Sequence, residues 1–120
     1  MKKILIIEDE PEMIDLIQLI LTRRGFEVAG ATGGMEGLTL VREKRPDLVL
    51  LDLMMPQPTG FQLCRMLRAT PGFKFTPIII ITALDDTDSK LVAFGAGAND
   101  YLTKPFHVGE LMEKMKEFLE

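Results

Sequence analysis

The sequence predicts a three-layer α/β fold built on a parallel sheet. Two observations carry that prediction. Short unbroken apolar runs alternate with longer amphipathic stretches, the signature of strands buried on both faces and joined by crossover helices. The connections are also short, so each right-handed crossover must lay its helix against one face of the sheet or the other.

Taken in order, strands are expected at 3–7, 26–29, 48–51, 78–81 and, more briefly, 100–102. Pro11 at a first-turn position and Gly25 after Arg23 and Arg24 bracket a first helix whose start is acidic and whose end is basic, as the helix dipole favours. Thr32 is the expected cap of a second helix that must stop before Pro46. Gly33, Gly34 and Gly37 weaken its first turns by up to ~1 kcal/mol each relative to alanine, so this helix is expected to be the loosest. A third helix is expected over 60–69 and a fourth over 88–95. The fifth carries Val108, Leu111, Met112, Met115, Phe118 and Leu119 as an apolar stripe at helical spacing.

The chain has 120 residues, 47% of them hydrophobic and 27% charged, which is the balance of one globular domain over 1–120. A net charge of −4 gives no pull towards nucleic acid or anionic lipid. One cysteine, Cys64, cannot form an internal disulfide; it reads as a small core residue in a reducing, cytoplasmic setting. The apolar run after Met1-Lys2-Lys3 is too short for a signal peptide, and no window reaches the ~18 apolar residues of a membrane span.

In an open parallel sheet, functional groups gather at the carboxyl ends of the strands. Polar residues stand there in this sequence: Glu8 and Asp9 after the first strand, Asp52 after the third, Thr82 after the fourth and Lys104 after the fifth. If the first and third strands are neighbours, three carboxylates converge, and they resist joint ionisation unless a cation joins them. A hard divalent ion such as Mg²⁺ suits that oxygen set. Lys104 supplies an opposing point charge, and an ionised carboxylate so flanked is equipped to attack phosphorus, which makes Asp52 the candidate nucleophile.

Glu8-Asp9-Glu10, Asp52-Leu53-Met54-Met55-Pro56 with Gly60, Thr82-Ala83, and Asp100-Tyr101-Leu102-Thr103-Lys104-Pro105-Phe106 closely resemble the motifs of response regulator receiver domains of two-component systems. The resemblance covers essentially the whole chain. It implies a flavodoxin-like, doubly wound five-stranded sheet of order 2-1-3-4-5 with five helices. It implies that Asp52 accepts phosphate from a sensor histidine kinase or phosphotransfer protein, or from small donors, with slow self-dephosphorylation and no other turnover. Mg²⁺ would be held by Glu8, Asp9, Asp52 and the Met54 carbonyl, while Lys104 and Thr82 would bind the phosphoryl group. Thr82 and Tyr101 match the switch pair that alters the face of the fourth helix, fifth strand and fifth helix, where a downstream protein or a fused effector docks. The Lys104–Pro105 peptide is expected cis, and the chain a monomer or a phosphorylation-dependent dimer. The chain also reads as the receiver portion of a longer regulator, although its last residues lack the basic tail typical of receivers fused to winged-helix DNA-binding domains.

Blander readings stand beside these. Glu8 and Asp9 also suit a solvated helix start, Asp52 a strand-end turn, Thr82 a turn cap, Lys104 a surface ammonium and Tyr101 static packing. His107 reads as a cap or surface residue, and the methionines as core fillers. Asp85, Asp86 and Asp88 read as a solvated helix start. A Mg²⁺-dependent aspartyl phosphatase would need a second aspartate two residues after the nucleophile, where Met54 stands. A flavin carrier would need a Ser/Thr-rich phosphate loop where Glu8-Asp9-Glu10 stands.

Overall fold

The computed structural model describes all 120 residues. Strands and helices alternate throughout: β1 (Lys3–Ile7), α1 (Pro11–Arg23), β2 (Glu27–Ala31), α2 (Gly34–Lys44), β3 (Leu48–Leu51), α3 (Gly60–Ala69), β4 (Ile78–Thr82), α4 (Thr87–Gly95), β5 (Asp100–Thr103) and α5 (Val108–Leu119). The five strands form one parallel sheet in the order β2-β1-β3-β4-β5.

Alternation of side chains along each strand divides the core in two. Leu5, Ile7, Val49, Leu51, Ile78 and Ile80 face α2, α3 and α4, meeting Leu38, Val41, Leu63, Leu67 and Ala93. Ile4, Ile6, Leu48, Leu50, Ile79 and Ile81 face α1 and α5, meeting Ile14, Ile17, Leu21, Leu111 and Met115. Each fully buried aliphatic side chain contributes about 1.5–3 kcal/mol, so the central strands are the thermodynamic spine of the molecule. Cys64 and Met115 are core residues as expected, whereas Met35 and Met54 are exposed. No helix is long and apolar enough to cross a membrane.

The edge strand starts later than expected. Phe26 gives its amide to the Leu21 carbonyl to close the end of α1, so the ladder begins with the Glu27 amide on the Lys2 carbonyl. β4 and β5 each run one residue further, through the paired Thr82 and Thr103. Thr32 does not cap α2: the cap is Gly33, which has no side chain to offer, and the Thr32 amide donates instead to Glu36 Oε1 at 2.8 Å. Gly34 and Gly37 serve packing, since a Cβ would meet Pro58 Cγ and Ile7 Cδ1 respectively at 2.6 Å. α2 therefore buries four residues and is not the loosest helix. That description fits α4, which buries only Ala93 and exposes Leu91, Val92 and Phe94.

The remaining caps follow local chemistry. Thr59 and Gln62 form a reciprocal capping box on α3, with Thr59 N donating to Gln62 Oε1 at 2.8 Å and Gln62 N to Thr59 Oγ1 at 3.3 Å. Asp86 caps α4 by accepting the Ser89 amide at 2.9 Å. His107 occupies the N-cap position of α5, its amide donating to Glu110 Oε1.

Candidate functional site

Every polar or charged residue that the fold buries lies at the carboxyl ends of the central strands. Glu8 is 3% exposed, Asp52 5% and Thr82 0%, and apart from Tyr101, whose largely apolar ring is 8% exposed on β5, no other charged or hydroxyl-bearing side chain is buried. Backbone pairing brings the two acids together. The β1–β3 register sets Ile7 against Leu51, and the ladder continues one step as Asp52 N donates to the Ile7 carbonyl at 3.0 Å. The Glu8 amide is meanwhile fixed on the Ala31 carbonyl of β2. Gly60, first residue of α3, packs so closely under this segment that a Cβ would lie 2.5 Å from Leu53 Cα.

Lys104 enters from the end of β5, its own amide held by the Thr82 carbonyl at 2.8 Å. Its side chain is 13% exposed, and its ammonium donates to Glu8 Oε1 and, at 3.1 Å, to Asp52 Oδ2 and lies 3.8 Å from Glu10 Oε1. Asp52 Oδ1 accepts the Met54 amide at 3.0 Å, and Glu8 Oε2 accepts the Glu10 amide at 3.3 Å. Thr82 Oγ1 faces the Leu84 amide at 3.4 Å.

These contacts separate the two acids. Burial pushes the Glu8 carboxyl up to about 7, and the neighbouring Asp52 charge adds to that effect against the pull of Lys104. Burial works on Asp52 in the same direction, but the Met54 amide and the Lys104 ammonium outweigh it and hold Asp52 below its ordinary value. Lys104 is likewise raised: its desolvation is more than offset by Glu8 and Asp52. At neutral pH Asp52 is therefore the firmly ionised member of the pair, which is what a nucleophile requires.

Oxygens of Glu8, Asp9, Glu10 and Asp52 lie within 4.8 Å of one another, so the hard-oxygen donor set suits a divalent cation. Glu10 is the member that motif spacing did not single out. It reads in sequence as one more acid in a run, and its approach to Lys104 depends on the turn into α1.

Tyr101 is also enclosed. Its hydroxyl donates to the Leu84 carbonyl at 2.7 Å, the Phe94 ring centroid is 6.4 Å away, and Lys90 Nζ sits 5.8 Å over the ring. Lys90 pairs with Asp85 at 3.1 Å, and Asp85 Oδ1 accepts the Thr103 hydroxyl at 3.2 Å. The Lys104–Pro105 peptide is cis, as the resemblance implies.

Comparison with known proteins agrees with this geometry. The family model described as response regulator receiver domain matches residues 4–116. The chain is 40% identical over 119 residues to the DNA-binding dual master transcriptional regulator RpaA of Synechocystis, covering 99% of this chain and 49% of that protein. It is 41% identical over 115 residues to the DNA-binding response regulator MtrA of Mycolicibacterium smegmatis, covering 96% of this chain and 49% of that protein. The chain thus spans about half the length of these relatives. Among solved structures, the chemotaxis protein CheY4 of Vibrio cholerae superposes with a TM-score of 0.94 at 30% identity, covering 99% of both chains. The response regulator TrrA of Thermotoga maritima, solved in complex with Mg²⁺ and BeF, superposes with a TM-score of 0.88 at 35% identity over 99% of this chain and 100% of that one.

Proposed function

The chain belongs to the response regulator receiver domain family of two-component signalling, and from that membership we propose that Asp52 is its phosphoryl acceptor, with Lys104 and Thr82 as the groups that receive the phosphoryl oxygens. The observation that carries the reading is the meeting of the two buried carboxyls of Glu8 and Asp52 on one ammonium, with the buried Thr82 ending the neighbouring strand. Burying charge is costly, and an acid pair with a lysine adds little to stability that apolar packing would not supply, so the arrangement points to chemistry.

An Asp52 carboxylate oxygen attacks the phosphorus of a phosphohistidine. The new O–P bond forms as the P–N bond breaks, and the released imidazole nitrogen takes up a proton. Lys104 lies on Asp52 Oδ2 and is placed to follow the transferred charge, while the Met54 amide holds Oδ1 and fixes the orientation of the carboxylate. Glu8, Asp9, Asp52 and the Met54 carbonyl are the groups that would hold Mg²⁺. Bound there, the ion supplies the positive charge that lets an anionic donor approach. Thr82 and Tyr101 would pass the change to the α4–β5–α5 face, where a downstream protein or an attached effector would dock. Since RpaA and MtrA are DNA-binding regulators about twice this length, an effector domain is the favoured recipient. The donor would be a sensor histidine kinase or phosphotransfer protein, the location cytoplasmic, and the chain a switch with only slow self-dephosphorylation.

Incubation with acetyl phosphate or phosphoramidate and Mg²⁺ should add one phosphoryl group by intact-mass spectrometry. Persistence of that addition in Asp52→Ala would show that the acceptor is another residue.

A further inference from the structure

At the opposite end of the sheet, one partly buried cation has no acidic partner. All five N–H donors of Arg68, in the last turn of α3, are used, and none meets a carboxylate. Nε donates to the Gly97 carbonyl at 3.0 Å, and Nη2 to the same carbonyl at 2.8 Å and to Asn99 Oδ1 at 2.7 Å. Nη1 donates to the Phe73 carbonyl at 3.0 Å and the Thr76 carbonyl at 2.6 Å. Asn99 Oδ1 also accepts the Ile78 amide at 2.8 Å, so the cluster reaches the first residue of β4.

Gly97 closes the C-terminus of α4. Ala98 N donates to the Ala93 carbonyl at 3.1 Å and Gly97 N to the Phe94 carbonyl at 3.0 Å, with Gly97 at φ +114°, which is a Schellman close. The Gly97 carbonyl is thereby aimed at the guanidinium, and a Cβ at Gly97 would meet Arg68 Cγ at 2.7 Å. The other end of α4 is held differently. Its cap on Asp86 and the Asp85–Lys90 pair are exposed, and between the two ends only Ala93 is buried. Charge-assisted hydrogen bonds to sheltered carbonyls outlast an ion pair open to water and salt.

We propose that Arg68 is the pivot of α4: the Gly97 end of the helix stays docked on α3 through the guanidinium, while rearrangement at Thr82 and Leu84 displaces the Asp86 end. The proposal rests on the phosphoryl-accepting reading of Asp52, because that reading supplies the rearrangement. It also assigns Arg68 a positioning role, since it sets which part of the output face can move without touching the phosphoryl group.

Amide hydrogen exchange of the whole chain, with and without Mg²⁺ and beryllofluoride, tests it. In the wild type, ligand-induced changes should be large at Ser89 and Lys90 and under about twofold at Gly97, Ala98 and Asn99. In Arg68→Lys, which keeps the charge but loses the fork, protection of those three amides should fall on the order of tenfold before ligand is added, and the ligand-induced change should spread into them. A wild-type response as large at Gly97–Asn99 as at Ser89 overturns the pivot without any variant. So does an Arg68→Lys protein whose ligand-induced pattern matches the wild type, which is what a merely stabilising role gives. Should Arg68→Lys fail to fold, Asn99→Ala removes one arm only and should show the same spread in weaker form; a wild-type pattern there overturns the proposal. No beryllofluoride response anywhere in the wild type instead removes the reading of Asp52, and the pivot with it.

Discussion

The Tyr101 hydroxyl donates to the Leu84 carbonyl at 2.7 Å, which ties the ring of β5 to the segment that follows Thr82. The acceptor lies two residues beyond Thr82 on the same main chain, so a shift at Thr82 that carried the Leu84 carbonyl with it would change the seat of Tyr101. Burial, with the charges of Asp86, Asp85 and Asp52 behind it, pushes the phenol up to about 12. As the only tyrosine in a chain without tryptophan, Tyr101 reports its own ionisation. Its absorbance titration should fall well above 10 in the folded protein and near 10 in denaturant. The fold favours the neutral phenol, so this contribution to stability is intact below pH 10 and is lost as pH rises towards 12. A folded-state midpoint at 10 would place the ring in solvent.

Glu8 gives a pH dependence of the same sign at lower pH. Its carboxyl titrates at 4.5 when unfolded and about 7 in the fold, so the native state binds the extra proton between those values. In the presence of a chelator, stability should decline as pH rises from 4.5 to about 7 and level off above, and Glu8→Gln should remove that decline. Asp52 acts oppositely and outside the window, because its lowered value contributes stability lost only as pH falls below 3.8. Mg²⁺ should raise the melting temperature most near neutral pH, where it relieves the acid cluster, and much less in Asp9→Asn. A pH–stability curve that is the same in wild type and Glu8→Gln would show that burial does not hold the Glu8 proton.

How much of this was legible depended on whether side chains or backbone made the contact. Strands buried on both faces, such as Leu48–Leu51, announce themselves as apolar runs, and the polar residues that end those runs, Glu8, Asp52, Thr82 and Lys104, are ones the fold gathers at one end of the sheet. The half-buried edge strand Glu27–Ala31 has no such run, and its start is decided by the Phe26 amide turning to Leu21, a contest between backbone partners. Thr32 fits every local rule for a cap, and Glu36 takes its amide instead. Arg68 reads as one more basic residue at a helix end, because the carbonyls of Phe73, Thr76 and Gly97 that it meets leave no trace in residue identity.

Two glycines separate close approach from helix propensity. At Gly60 a Cβ would press on the backbone of Asp52 and Leu53, which cannot yield without displacing the Asp52 carboxylate. Gly60→Ala should cost about 1–3 kcal/mol and slow phosphorylation as well. Gly95 lies in the last turn of α4 with nothing within 4 Å of a would-be Cβ. Gly95→Ala should gain about 0.5–1 kcal/mol and leave phosphorylation unchanged. Chemical denaturation of both variants distinguishes the cases, and equal effects would mean that the packing under Asp52 is not tight.

Hydrolysis of an acyl phosphate on Asp52 needs a water in line with the phosphorus, and in the receiver family the side chains two positions after the acceptor aspartate and two after the switch threonine help position or exclude that water. Here they are Met54, 53% exposed and free to cover the carboxylate, and Leu84, half-buried against the core with its carbonyl taken by Tyr101. Neither side chain can hydrogen-bond a water strongly, so the orienting share of catalysis is missing and the phosphorylated state should be long-lived. Met54→Asn with Leu84→Glu supplies an amide and a carboxylate at these positions. Phosphate loss at saturating Mg²⁺, followed by intact mass, should then speed up on the order of tenfold or more. The Asp52 contacts to Lys104 and to the Met54 amide involve neither altered side chain, so folding and phosphate uptake should survive and give an internal control. A double variant that takes up phosphate normally and loses it no faster than the parent would show that another group limits access of water.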